Sequence, residues 1–401
     1  MNKKIKLLSK KYFEEVRSCR RHLHAHPELS YHEYETSKFI QEKLKKYGIP
    51  FKNNIAKTGL IGYIKGKTPT KNVIALRADM DALPINEENK VSYKSVHKGV
   101  MHACGHDVHT SCLLGAAKIL NELKGEFSGT IKLIFQPAEE KFPGGAQQMI
   151  KEGALKNPVP ASILAQHVMP DINAGKVGFR SGVYMASADE LYVKIIGKGG
   201  HGAMPDRNID PVLISAHIIT ALQQIVSRNA KPNLPTVLTF GKVIANGATN
   251  VIPNEVYMEG TFRTFDESWR QLAHTKIKKM ACSIAEGMGG KCEFEIKKGY
   301  PVLKNNVALA TRTRKFAEEY LGKENVEDLD IWMAAEDFAY YSQKMDACFY
   351  RLGVRNESKG ITSTVHTPTF NIDEESLKIG MGLMSWLAIK ELEHLNSAGS
   401  E

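Results

Sequence analysis

The sequence predicts an α/β chain. The expected fold is a larger domain with a mixed, mostly parallel sheet flanked by helices, plus an inserted smaller α+β domain of split-βαβ (ferredoxin-like) topology. Three observations predict it. Short apolar runs alternate with helical periodicity between about residues 60 and 167. From about residue 190 to 296 the order becomes β-α-β-β-α-β. After about residue 300 the alternating character returns. A chain of 401 residues is also too long for one compact core. The expected division is 1–185 and 299–401 for the larger domain and 186–298 for the inserted one.

Composition narrows the function classes. The net charge is +10, but Lys and Arg are scattered and mixed with acids, as in Glu42-Lys-Leu-Lys-Lys46, so no basic stripe for nucleic acid forms. The basic start, Met1 to Lys11, lacks the apolar core of a secretory signal, and no apolar run reaches membrane-span length. Six dispersed cysteines are the pattern of reduced thiols rather than of a disulfide framework, so a cytoplasmic location is expected.

Taken in order, residues 10–48 read as helix, interrupted at Pro27 and ended by Gly48. His22, His24 and His26 near the break are read as a surface helix end rather than as ligands. Strands follow at 60–64 and 73–78, the second running into Asp79-Met-Asp81. Carboxylates there sit where open α/β sheets place their sites. The stretch Met101-His-Ala-Cys-Gly-His-Asp-Val-His109 offers Cys104 and His106 across a glycine that lets the backbone turn, with His102 and His109 nearby. A thiolate beside an imidazole suits a borderline-soft divalent metal. A helix is expected at 111–120, a strand at 130–135 leading to Glu139-Glu140, a helix after Gly145, and a strand at 162–165 ending at His167.

Three successive strands therefore end in ligand-type residues: Asp81, then Glu139 with Glu140, then His167. At Glu139-Glu140 one carboxylate can hold a metal while its neighbour acts as a base. His366 sits in a polar loop before the last helix. Cys104, His106, Glu140, His167 and His366 make five donors, about what two divalent ions sharing a ligand and a water need. In the inserted domain the expected elements are strands at 190–196, 236–240, 255–262 and 291–296, with helices at 210–228 and 267–288. Helices at 306–320 and 374–395 complete the chain.

These motifs resemble the amidohydrolase family of co-catalytic metallopeptidases that includes aminoacylases and carboxypeptidase G. The nearest branch is that of bacterial hippurate hydrolases and plant indole-acetyl-amino-acid hydrolases. The resemblance is carried by Arg-Arg-His-Leu-His-Ala-His-Pro-Glu-Leu at 20–29, Leu-Arg-Ala-Asp-Met-Asp-Ala-Leu-Pro at 76–84 and Met-His-Ala-Cys-Gly-His-Asp at 101–107. It continues with Phe-Gln-Pro-Ala-Glu-Glu at 135–140, Gly-Gly-His-Gly-Ala-Met-Pro at 199–205, Asn-Val-Ile-Pro at 250–253, Glu-Asp-Phe-Ala-Tyr-Tyr at 336–341 and the His366 loop.

The resemblance implies a catalytic role for the larger domain and a lid and dimerisation role for the inserted one. It implies two divalent ions per subunit (zinc, manganese, nickel or cobalt), with Cys104 bridging and His106, Glu140, His167 and His366 completing the ligands. Glu139 is then the general base and Asp81 acts from behind the ligands. One departure is shared by the branch: Asp79 stands where the wider family has a metal-binding histidine, so His106 has to serve. His201 is implied as an oxyanion donor reaching the partner subunit's site, with Asn250 and Arg263 on the substrate carboxylate. The implied reaction is hydrolysis of an N-acyl amino acid (acetyl, benzoyl or indole-acetyl type) to a carboxylic acid and a free amino acid in a homodimer. A dipeptidase or aminopeptidase on the same centre is the alternative.

Overall fold

The computed structural model describes residues 1–398. The last three residues expected in the larger domain, 399–401, lie outside the described residues. In chain order the elements begin with α1 (Asn2–Ala25), α2 (Tyr34–Lys46), β1 (Phe51–Ile55), β2 (Gly59–Lys65), β3 (Thr68–Asp79), α3 (His106–Glu122), β4 (Ser128–Gln136), α4 (Gly145–Lys151), β5 (Ser162–Asn173) and β6 (Val177–Phe179). They continue with β7 (Gly182–Met185), β8 (Asp189–Ile196), β9 (Gly200–His201), α5 (Pro211–Gln224), β10 (Thr236–Ile244), β11 (Val251–Ile252), β12 (Glu255–Thr264), α6 (Glu267–Gly287) and β13 (Lys291–Lys298). The chain closes with β14 (Leu303–Asn305), α7 (Val307–Leu321), β15 (Val326–Asp328), α8 (Ala339–Ser342), β16 (Asp346–Arg355) and α9 (Ser376–Ala398).

The chain divides into two compact units. The first comprises Met1–Gly182, Lys304–Asp330 and the residues from Asp337 onward. Its sheet has the order β1-β2-β4-β3-β5-β16-β6-β15. The β3–β4, β3–β5, β5–β16 and β6–β15 pairs are parallel, and the pairs β1–β2, β2–β4 and β6–β16 are antiparallel. Helices α1, α3 and α9 pack on one another, and α3 and α9 also meet β3. The apolar stripe of α1 (Val16) and the almost wholly buried α3 (Leu113) and α9 (Met381) share one core with Leu76 and Leu133 of the sheet. The expectation of a mixed, mostly parallel sheet between helices therefore holds.

The second unit comprises Val183–Leu303 and Ile331–Glu336. Its sheet order, β10-β12-β8-β13, is wholly antiparallel, and its helices α5 and α6 pack together. This is the split-βαβ order. β8 alternates buried and half-buried residues along its whole length, as a sheet with one face covered requires. α5 and α6 start on aspartate caps: Asp210 accepts from Val212 and Leu213, and Asp266 from Trp269.

Five expectations need correction. His24, read as part of a surface helix end, is fully buried. α1 starts at Asn2, well before residue 10. α3 starts at His106, so that residue lies on the helix rather than in the loop before it. β5 runs on to Asn173, which puts His167 in mid-strand. The ten-residue strand β16 was not expected, because Arg351 interrupts its apolar run; Arg351 is fully buried beside Phe349. Among the described residues no helix is long and apolar enough to cross a membrane.

Candidate metal centre

All five donor residues expected from the sequence belong to the first unit, and the structure gathers them. Gly105, at φ +82°, turns the chain so that Cys104 precedes the helix and His106 opens it. A Cβ at Gly105 would meet Val168 Cγ2 at 2.5 Å, so the turn also needs a bare backbone for space. Ligand atoms of Cys104, His106 and His167 lie within 4.8 Å of one another, and so do those of Cys104, Glu140 and His366. The two sets share the Cys104 sulfur. His106, Glu139 and Glu140 form a third such group.

The histidines are oriented for a cation. His167 Nδ1 donates to its neighbour's carbonyl, Val168 O, at 2.7 Å, which leaves Nε2 as the lone-pair nitrogen 3.4 Å from Cys104 Sγ. Burial, then the proximity of His109 and Arg351, keeps His167 well below the usual imidazole range and therefore neutral. His106 Nδ1 meets Asp81 Oδ1 at 3.2 Å. Its Nε2 and the Glu140 Oε1 atom, 3.8 Å apart, are buried and have no hydrogen-bond partner among the described residues. His366 Nε2 lies 3.3 Å from the same Glu140 oxygen. Buried polar atoms left bare around one point, with thiol, imidazole and carboxylate donors, fit a divalent cation.

The electrostatics agree. Burial opposes charge on His106, yet Asp79, then Asp81 and Glu140, push it up to about 10. Burial raises the Cys104 thiol well above its ordinary value, and the charges of Glu140, Glu139 and Asp79 raise it further. The surrounding carboxylates contribute to both shifts, and they favour positive charge at this point.

Asp81 organises the cluster. Its Oδ1 accepts the Glu139 N–H at 3.0 Å and its Oδ2 the Glu140 N–H at 3.0 Å. Ser30 donates to it at 2.6 Å. Burial works against ionisation, but the bonds from His106 and Ser30 hold Asp81 below the usual carboxylate range. One carboxylate thus fixes both the backbone that carries Glu139-Glu140 and the ring of His106. The preceding Ala138 takes φ +52°, and its N–H is held by Glu33 at 2.9 Å.

Asp79 has a different task. Arg77 donates to it at 2.7 Å and His109 Nδ1 at 2.5 Å, while His109 Nε2 accepts the Val168 N–H at 2.9 Å. Both nitrogens of His109 are consumed, so it offers a metal nothing. His102 is buried without a hydrogen-bond partner among the described residues. Residue-level reading missed Arg77, which also reaches Gln136 and Asp337 at 2.9 Å each. Its signal was available: a charged side chain inside a buried strand requires partners.

His201, Asn250 and Arg263 lie in the second unit. His201 is paired with Val251 across the β9–β11 ladder, and Gly202 N–H donates to Asn250 O at 2.8 Å, so His201 and Asn250 are neighbours. Both are exposed. The Ala203 N–H donates to His201 Nδ1 at 3.0 Å, which places the proton of the neutral ring on Nε2. Arg263 is half-buried on β12 and donates to Met333 O at 3.2 Å.

Thiol, imidazole and paired carboxylate donors gathered beside a large mixed sheet are the donor set of a metal-dependent hydrolase. The comparisons agree. Residues 75–390 match the model of peptidase family M20/M25/M40, and the chain belongs to that family. It is 43% identical over 300 residues to the N-acyl-L-amino acid amidohydrolase of Geobacillus stearothermophilus, covering 75% of this chain and 80% of that one. It is 38% identical over 392 residues to the IAA-amino acid hydrolase ILR1-like 4 of Arabidopsis thaliana, covering 96% and 88%. The solved YXEP protein of Bacillus subtilis, described as a dinuclear metal-binding peptidase of family M20, superposes with a TM-score of 0.81. It shares 35% identity with this chain, covering 96% of this chain and 99% of that one.

Proposed function

We propose that the protein hydrolyses the amide bond of N-acyl amino acids of the acetyl, benzoyl or indole-acetyl type. The observation that supports this reading most is the pair of donor sets sharing Cys104, with the Glu139 carboxylate beside them. Cys104, His106, Glu140, His167 and His366 would hold two divalent ions. When bound, such ions acidify a shared water and polarise the amide carbonyl. Glu139, held by the Asp81 clamp, takes the water's proton and returns it to the leaving amine. His201 donates from Nε2 to the developing oxyanion. Asn250 and Arg263 bind the substrate's carboxylate, for which a guanidinium fork is suited.

The second unit is the lid and dimerisation domain in this reading, and the enzyme is a cytoplasmic homodimer. Edge strand β10 supports the dimer: Val243 and Ile244 are 50% and 38% exposed, and Leu213 on α5 is 51% exposed. The test of substrate class is a hydrolysis screen of N-acyl amino acids with apoprotein reloaded by zinc, manganese, nickel or cobalt. Turnover of Xaa-Gly dipeptides alone would replace this reading by a dipeptidase. The dimer is tested by mixing two inactive variants, His201→Ala and Glu139→Gln. If the partner subunit's His201 serves each site, the mixed dimer regains one working site; a mixture that stays inactive refutes the exchange.

A further inference from the structure

The three histidines near Pro27 separate in the folded chain. His24 is fully buried, between Asp107 at 2.8 Å and Glu87 at 3.1 Å, and is used up. His22 and His26 lie one helical turn apart on the other side of α1 and open on a pocket of about 510 Å³. Its lining adds His97, Glu42 and Phe39. From this arrangement we infer a third metal site, separate from the catalytic cluster, in which His22, His26 and His97 take a zinc-class or copper-class divalent cation.

Four observations carry it. His26 caps α1, and its N–H still bonds the His22 carbonyl at 3.1 Å, so the two rings stand one turn apart, close to the i,i+4 spacing used by helical zinc motifs. The ring centres of His22 and His26 are 4.6 Å apart, and those of His26 and His97 are 6.3 Å apart. Two imidazoles on one tetrahedral ion, with metal–nitrogen bonds of about 2.0–2.1 Å, have centres roughly 5 Å apart, so the His22–His26 pair is already near that spacing and the exposed His97 has to swing inward. His26 Nδ1 donates to the His22 carbonyl at 2.8 Å, which leaves Nε2 as the lone-pair nitrogen, the orientation that metal-binding imidazoles ordinarily have. Phe39 stacks on His22 at 4.4 Å and limits its rotation.

The charges are permissive. Burial, then His26 and Lys43, lower the pKa of His22, which keeps its lone pair available at neutral pH. Lys38, the pocket's cation, lies 3.6 Å from Glu35. Glu42 supplies a carboxylate on the α2 side. His22, His26 and His97 take no part in the proposed hydrolysis, so occupancy here and turnover are separable.

The experiment uses untagged holoenzyme with its catalytic cluster saturated. Zinc is counted by elemental analysis after gel filtration, and copper(II) is followed by electron paramagnetic resonance. Wild type is expected to hold one equivalent more than His22→Asn/His26→Asn, while both hydrolyse substrate at the same rate. The additional copper signal should show nitrogen hyperfine structure from at least two imidazoles. His97→Asn, an exposed loop change that serves if the double variant misfolds, should weaken the additional equivalent by about tenfold or more. Equal metal counts in wild type and double variant, an additional equivalent insensitive to all three histidines, or an additional copper signal without nitrogen couplings would overturn the site. Failure here leaves the catalytic reading intact, because that reading is scored by turnover and by the metal held at Cys104.

Discussion

Two aspartate–histidine pairs stand where β3 meets α3, and they differ in one respect. Asp79 and His109 exhaust each other: Arg77 completes the aspartate and the Val168 N–H completes the ring. Asp81 and His106 leave the outward Nε2 of the ring without a partner. The residue types and the burial are alike, yet only the second pair is available to a cation. Ligand capacity is therefore decided by the unfilled atom, not by the presence of a histidine.

The largest expected effect is on the residue that the second pair positions. Glu139→Gln should keep its metal and lose turnover by about 10²–10⁴-fold, the usual contribution of a positioned proton carrier. Near-normal rates would remove Glu139 from the mechanism. Next is the comparison of the two rings. His106→Ala should lose bound metal by elemental analysis and, with it, activity. His109→Ala should hold its metal count and lose about 1–3 kcal/mol of stability in denaturant melts, because a buried acceptor and a buried N–H go unpaired. The reverse pattern would break the distinction between the pairs.

A smaller effect is expected at the clamp. Asp81→Asn can no longer accept from both the Glu139 and the Glu140 N–H groups. Metal affinity should fall by about 10–100-fold, as for other residues that orient ligands, and kcat should fall with it. Unchanged affinity and rate would make Asp81 a plain turn residue.

The effect furthest from turnover, on stability alone, concerns Glu33, which supports Ala138. Burial, then the charge of Asp81, pushes its carboxyl up to about 7. A folded pKa above the unfolded one means that the native state binds more protons between the two values. The stability this group contributes is therefore present at low pH and is lost as pH rises through about 7. Glu33→Gln keeps an acceptor for Ala138 and removes the titration. It should remove on the order of 3 kcal/mol of pH-dependence between about pH 4.5 and 7 in thermal melts. A variant whose pH–stability curve parallels wild type would show that Glu33 does not titrate in this range.

Much of the fold was legible in the sequence because its periodicities are local. Alternation in β8 and the helical stripe of α1 (Tyr12, Phe13, Val16, Leu23) depend on neighbours a few residues away. β16 was missed because its buried Arg351 looks like an exposed residue until the sheet around it exists. The second unit's strands and helices were equally readable, and its order β10-β12-β8-β13 is the one that the β-α-β-β-α-β run implies.

The sequence by itself determined the donor inventory: a thiol, several imidazoles and adjacent carboxylates at strand ends, in the order of an amidohydrolase. It put His106 ahead of His102 and His109 without showing what holds the other two rings, and it could not separate His24 from His22 and His26. Only the tertiary structure did that. Hydrogen-bond satisfaction depends on partners far away in the chain, such as Asp79 and Val168 for His109 and Asp107 and Glu87 for His24. Folding alone decides which donor atoms are gathered around one point and which are consumed by other partners.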